Sequence, residues 1–314
     1  MLQRRQSLAR NCVAGTVFER ASVLIVRTND VEMGALAAKS GDADLVIVQT
    51  DGSLPALDHI VDYNGYFRSV RQRFGGIRRR MFRDGFCHLP SPDLNLSRGE
   101  LSNLQAIQRH FDSLAQDVYN RDANRFRQIR RYTLLPYVDF LAPRLIAASA
   151  YLQALNFNPE AGGQVRNFEA IPDKIANNPL LHALILRDFA LSTFNKEELA
   201  GPIDVGVHFI RMRAEKEKPG ISVPDCLHKD GEPFTFIHLV NRVNVTGGEN
   251  VVADNNKRII LETTLEEPLD TIGVVDSKVY HQAKRVLVKT GETSGYRDVI
   301  LIDFTPMVAL TRAS

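Results

Sequence analysis

From about residue 203 to its end, the chain repeats one pattern, in which a short apolar, β-prone run is followed by a turn signal. The runs cover 205–212, 234–240, 250–253, 258–262, 271–275, 284–288 and 299–304, and the turns include Lys218-Pro-Gly220, Thr246-Gly-Gly248, Asp254-Asn-Asn256 and Thr290-Gly291. Strands this short bury their apolar faces by pairing into sheets that pack on another layer. Turn signals at this rhythm therefore predict a sandwich or a barrel-like jelly roll.

The preceding part has a different texture. Leu101, Leu104, Ile107, Phe111, Leu114 and Val118 recur at helical spacing, with Ser97 and Glu100 placed as a capping box. A second amphipathic helix is expected over 179–194. Two apolar runs at 22–26 and 44–48 flank a short helix between residues 30 and 40. No internal repeat or low-complexity linker divides the halves. The expected class is α+β, with a helical N-terminal layer packed on the β core. Three regions are expected: an N-terminal segment 1–90, a helical support region 91–202 and a catalytic β core 203–314.

Charge narrows the function. The 39 basic and 37 acidic residues leave a net +2, which gives no global attraction to nucleic acid or an anionic membrane. No apolar run is long enough to span a bilayer. The basic start (Arg4, Arg5, Arg10) resembles a presequence, but a ragged terminus is the simpler reading. Three scattered cysteines, Cys12, Cys87 and Cys226, fit a reduced, cytoplasmic protein.

Two His-x-Asp pairs stand out. In an extended chain residues i and i+2 project to one side, so His228-Lys229-Asp230 can offer two donors to one metal ion. His110-Phe111-Asp112 falls in the expected 97–119 helix, where i and i+2 diverge, and cannot. Two His and one carboxylate on one face of a metal leave room for cosubstrate and dioxygen, the arrangement of non-haem Fe(II) oxygenases. His281 can supply the third donor from a distant strand; a satisfied core or surface histidine is the alternative. Arg297 opens the last long apolar strand and offers a bidentate fork for a carboxylate, unless it merely pairs with Asp298.

In combination these residues resemble a known family. Val207-His208-Phe-Ile-Arg211, Pro224-Asp-Cys-Leu-His228-Lys-Asp230-Gly231, Asn241-Arg242-Val-Asn244-Val-Thr-Gly247-Gly248-Glu249, Asp276 to His281 and Gly295-Tyr-Arg297-Asp298 are similar in order and spacing to the 2-oxoglutarate/Fe(II) dioxygenases typified by isoleucine 4-hydroxylase. The likeness continues upstream through Asp117 to Arg127 and Pro179 to Phe189, about two thirds of the chain. The resemblance implies a double-stranded β-helix (jelly roll, cupin-like) with His228, Asp230 and His281 as catalytic metal ligands. It also implies Fe(II), 2-oxoglutarate held by Arg297, dioxygen, and a free amino acid or close derivative as substrate. The expected reaction is hydrogen abstraction followed by hydroxylation, with oxidative cyclisation to an aziridine as the alternative outcome. Two positions depart from the family pattern. Pro224-Asp225-Cys226 replaces the usual Pro-Glu-Gly, and Tyr280 stands where Trp is frequent. Both point to an altered substrate.

Further candidates are weaker. Cys226 shares a face with His228 and Asp230 if the segment is extended, and a small pocket-wall thiol is favoured over a metal thiolate. His208 and Arg211 face opposite sides of one strand, so one of them can reach a pocket. Arg242 can anchor a substrate carboxylate or form a structural ion pair. A rival function rests on residues 67–83, where seven arginines interleave with Phe67, Phe74 and Phe82. Such a segment can grip phosphates and stack on bases, but a solvated basic face with its Phe residues turned inward is the better expectation.

Overall fold

The computed structural model describes residues 63–94, 96–138, 141–147, 151, 163 and 165–307. The expected runs at 22–26 and 44–48 lie outside these. Among the described residues, every run expected beyond 203 lies in or overlaps a strand. The strands are β1 (Phe86–Leu89), β2 (Arg125–Leu134), β3 (Arg144–Leu145), β4 (Ile203–Glu215), β5 (Phe234–Val243), β6 (Val245–Gly247), β7 (Asn250–Asp254), β8 (Ile259–Thr263), β9 (Thr271–Val275), β10 (Val279–Ala283), β11 (Val286–Val288) and β12 (Ser294–Pro306). They form a seven-stranded sheet in the order β1-β9-β5-β12-β4-β2-β3, a three-stranded sheet β10-β7-β8, and the pair β11-β6. Each strand pairing is antiparallel.

Period-two alternation splits the large sheet into two working faces. Ile300, Ile302 and Phe304 of β12, Val205, Val207 and Phe209 of β4, and Phe234 and Phe236 of β5 lie in the main apolar core. Helices Tyr63–Arg73, Gly75–Asp84, Arg98–His110 and Pro179–Leu191 contribute Val70, Ile77, Met81, Leu104, Ile107, Leu181, Leu184 and Leu191 to the same core. The alternate residues Arg297, Val299, Leu301 and Asp303 of β12 face a cavity instead. Across that cavity stand Asn250 of β7 and His281 and Ala283 of β10.

The expected caps form. Ser97 accepts from the Glu100 N–H while Glu100 accepts from the Ser97 N–H, closing the capping box. Asn178 caps the second helix ahead of Pro179. The boundaries need correction. β1, β2 and β3 belong to the same sheet as the C-terminal half, so 91–202 is not a purely helical support and the sheet begins at residue 86. β2 escapes pattern reading because it is written Arg125-Phe-Arg127-Gln-Ile-Arg-Arg-Tyr-Thr-Leu134, and two of its arginines are buried. In the 67–83 segment Phe67 packs on the core and Phe74 is buried, whereas Phe82 is exposed. No helix of the described residues is long and apolar enough to cross a membrane.

Candidate functional site

Three donors converge where the small sheet meets the loop before β5. His228 and His281 form an isolated antiparallel bridge, each N–H donating to the other's carbonyl at 3.0 Å. Their rings are therefore side by side, with centroids 4.4 Å apart. Asp230 lies beneath both: His228 Nε2 is 3.4 Å from Oδ1 and His281 Nε2 is 3.1 Å from Oδ2. The three donor atoms fall within 4.8 Å of one another. The His228 Nδ1–H donates to the Cys226 carbonyl at 2.8 Å, which leaves Nε2 as the free donor toward a metal. The Asp230 N–H donates to Asp276 Oδ1 at 2.8 Å and fixes the loop. Burial opposes charge on Asp230, yet the neighbouring His281 and His228 imidazoles hold its carboxyl well below the usual range. Two imidazole nitrogens and an ionised carboxylate suit a divalent iron with open positions.

Arg297 reaches the same cavity and is 1% exposed. It does not pair with Asp298, which sits on the opposite face of β12 and takes Arg211 Nε at 2.7 Å and Nη2 at 2.9 Å. Arg297 Nε is buried without a partner, and Nη2 only approaches Asn250 Oδ1 at 3.4 Å. Burial, then the nearby Arg242, lowers its pKa to about 10, so it stays a cation at neutral pH. A desolvated cation with spare donors facing a cavity is suited to an anionic ligand. Three groups able to hold a metal ion and a cation suited to an anion thus share one enclosure.

The other three candidate residues do not line the cavity. His208 is on the cavity side of β4, but its ring is occupied: Arg127 Nη2 donates to Nδ1 at 2.6 Å and Nε2–H donates to Asp303 Oδ2 at 2.9 Å. Burial, then Arg127, lowers its pKa to about 4 and keeps it neutral. Arg242 is the β5 partner of Arg297 in register and donates to the Gly247 carbonyl at 2.8 Å, beside Arg297. The Cys226 side chain is exposed and off the cavity wall, because 223–227 is a series of bends rather than a strand, so the i, i+2 rule fails there. His110 and Asp112 also separate, His110 to Gln128 and Asp112 to Arg211.

Sequence reading missed Arg125, Arg127, Tyr151, Arg166, Glu232 and Asp303, all of which line the cavity. Arg125 is neutralised by Asp117, with Nε and Nη2 at 2.9 and 2.6 Å from Oδ2. Burial, then Asp303 and Asp230, pushes the Glu232 carboxyl well above its ordinary value. Arginines written into β2 read in sequence like a solvated face, so nothing local marked them as cavity residues.

Comparison with known proteins bears on the family and the fold. The family model described as 2OG-Fe dioxygenase matches residues 108–303. The chain is 35% identical over 207 residues to L-isoleucine-4-hydroxylase of Bacillus thuringiensis, covering 65% of this chain and 83% of that protein. It is 30% identical over 208 residues to 3(1)-hydroxy-L-isoleucine 4-dioxygenase of Pantoea ananatis (strain AJ13355), covering 65% and 81%. The crystal structure of IDO from Bacillus thuringiensis superposes with a TM-score of 0.64 at 25% identity, covering 74% of this chain and 95% of the other. The chain belongs to the 2OG-Fe dioxygenase family and is an Fe(II)- and 2-oxoglutarate-dependent dioxygenase of double-stranded β-helix fold.

Proposed function

We propose that the protein hydroxylates a free amino acid, with His228, Asp230 and His281 holding Fe(II) and Arg297 holding the distal carboxylate of 2-oxoglutarate. The observation that carries this reading is the convergence of the three donors and a buried, under-partnered arginine on one cavity. Relatives named for isoleucine and hydroxyisoleucine oxidation support the amino acid class.

Bound iron and 2-oxoglutarate supply dioxygen activation, so that C–H becomes C–OH while the cosubstrate leaves as succinate and carbon dioxide. The chain's own residues do the rest. Arg297 orients the cosubstrate through its planar fork. Asp276 and the paired backbones of His228 and His281 keep the donors in place. Ile210, Ile237, Val299 and Leu301 give the wall an apolar stretch, against which a hydrocarbon side chain can pack. The free thiols of Cys87 and Cys226 support a reducing compartment such as the cytoplasm.

Reconstitution with Fe(II) and 2-oxoglutarate, followed by a screen of the common amino acids for stimulated succinate release, tests the reading. At least one amino acid should stimulate release and gain one oxygen atom by mass. A folded enzyme that binds 2-oxoglutarate but responds to none of them refutes the substrate class.

A further inference from the structure

Arg297 and Asp303 both face the cavity from β12, but six residues of strand separate them by about 20 Å. Near Asp303 the wall carries charges that iron and 2-oxoglutarate do not use. Arg127 is tied to Asp303 through His208. Arg127 and Arg166 lie over the Tyr151 ring at 4.9 and 4.7 Å. Glu232 faces the same volume. Two atoms there are buried without hydrogen-bond partners, Glu232 Oε2 and Arg127 Nε. Both signs of charge therefore border one space with unmet hydrogen-bonding capacity, which a bound polar ligand can satisfy. An ammonium group offers three donors to carboxylates, and a carboxylate matches a guanidinium. A simple amine or a simple acid would leave one sign unmatched.

We propose that Glu232 and Asp303 receive the substrate's α-ammonium group and Arg127 its α-carboxylate, which directs the side chain toward His228, Asp230 and His281. This rests on the amino acid reading above. His208 acts as a positioning residue: by bonding Arg127 and Asp303 at once, it holds the cationic and anionic halves of the clamp a fixed distance apart.

Anaerobic calorimetry on protein loaded with Fe(II) and 2-oxoglutarate reads amino acid binding without turnover. The common amino acids identify the tightest ligand, which is then compared with its deaminated acid and its carboxamide. On the parent, each analogue should bind about 30-fold more weakly or worse, as expected for truncating one partner of a buried charge pair. Glu232→Gln should erase the preference for the amino acid over the deaminated acid, and Arg127→Gln the preference for it over the carboxamide. Both variants should keep the parent's 2-oxoglutarate affinity, which a collapsed cavity would not. If an amino acid binds the parent and Glu232→Gln discriminates as the parent does, the clamp is wrong and the amino acid reading stands. The clamp is equally wrong, without any variant, if the parent binds the deaminated acid as tightly as the amino acid. If no amino acid binds, both readings fall.

Discussion

His228 and His281 are joined to each other through both backbone groups, each N–H donating to the other's carbonyl at 3.0 Å, although 53 residues separate them in sequence. The bridge presents two imidazoles side by side above Asp230, and it does not depend on the side chains it presents.

Replacing either imidazole should therefore spare the frame and remove a donor. His228→Ala, Asp230→Ala and His281→Ala are expected to fold, to lose most bound iron and to lose turnover, because each removes one of three protein donors. His110→Ala is expected to keep its iron. Metal analysis of the four purified variants checks this; iron retained by His281→Ala and lost by His110→Ala would reverse the ligand assignment.

Arg297→Ala should weaken 2-oxoglutarate binding by roughly 3–5 kcal/mol, about two to four orders of magnitude, because it strands a buried carboxylate. Iron should still bind. Arg297→Lys should recover only part of the loss, since an ammonium lacks the planar fork. Anaerobic titration of the metal-to-ligand charge-transfer band measures both, and parent-like affinity in folded Arg297→Ala would place the cation elsewhere.

Cys226→Ser should leave iron, 2-oxoglutarate and amino acid binding at parent levels. Only the Cys226 backbone carbonyl touches the site, and the thiol is exposed. Co-purifying zinc released by this substitution would contradict that expectation.

Stability should fall on mild acidification. His182 and His208 are buried and neutral, with pKa lowered from 6.5 to about 4 by desolvation, joined at His208 by Arg127. The unfolded chain binds these protons at higher pH than the fold does. The stability is thus complete above about pH 6.5 and is lost as pH falls toward 4, by roughly 3 kcal/mol for each histidine. Chemical denaturation across this range checks the sign. His208→Asn should flatten part of the slope, and an unchanged pH dependence in that variant would exclude His208 as a contributor.

Gly206 has no side chain where the Asp303 carboxylate lies, and a Cβ there would collide with it. Gly206→Ala should displace Asp303, raise the amino acid KM and cost about 1–3 kcal/mol of stability through overpacking. The 2-oxoglutarate affinity should hold. An unchanged amino acid KM would show that Asp303 is not used in recognition.

The sequence by itself determined seven of the nine strands from residue 203 to 306, because turn residues and apolar runs report local backbone geometry that tertiary packing did not override; β6 and β10, the latter carrying His281, were not among the expected runs. It also determined the helix start at Ser97, where one hydroxyl and one carboxylate satisfy two local N–H groups. The His228-x-Asp230 pair and the separation of His110 from Asp112 were legible for the same local reason.

Other features only the tertiary structure decided. A polar side chain facing a cavity reads in sequence like one facing water, so the arginines of β2 gave no sign that Arg125 and Arg127 are buried. The sequence left Arg297 open between a carboxylate fork and a pair with Asp298; helices packed on Ile300, Ile302 and Phe304 decided which face of β12 meets the cavity. The position of Cys226 depended on a bent loop rather than an ideal strand. The joining of Arg127 to Asp303 through His208 required β2, β4 and β12 to lie side by side in register. Periodicity specifies which residues share a face; only the closing of one sheet over another specifies what that face meets.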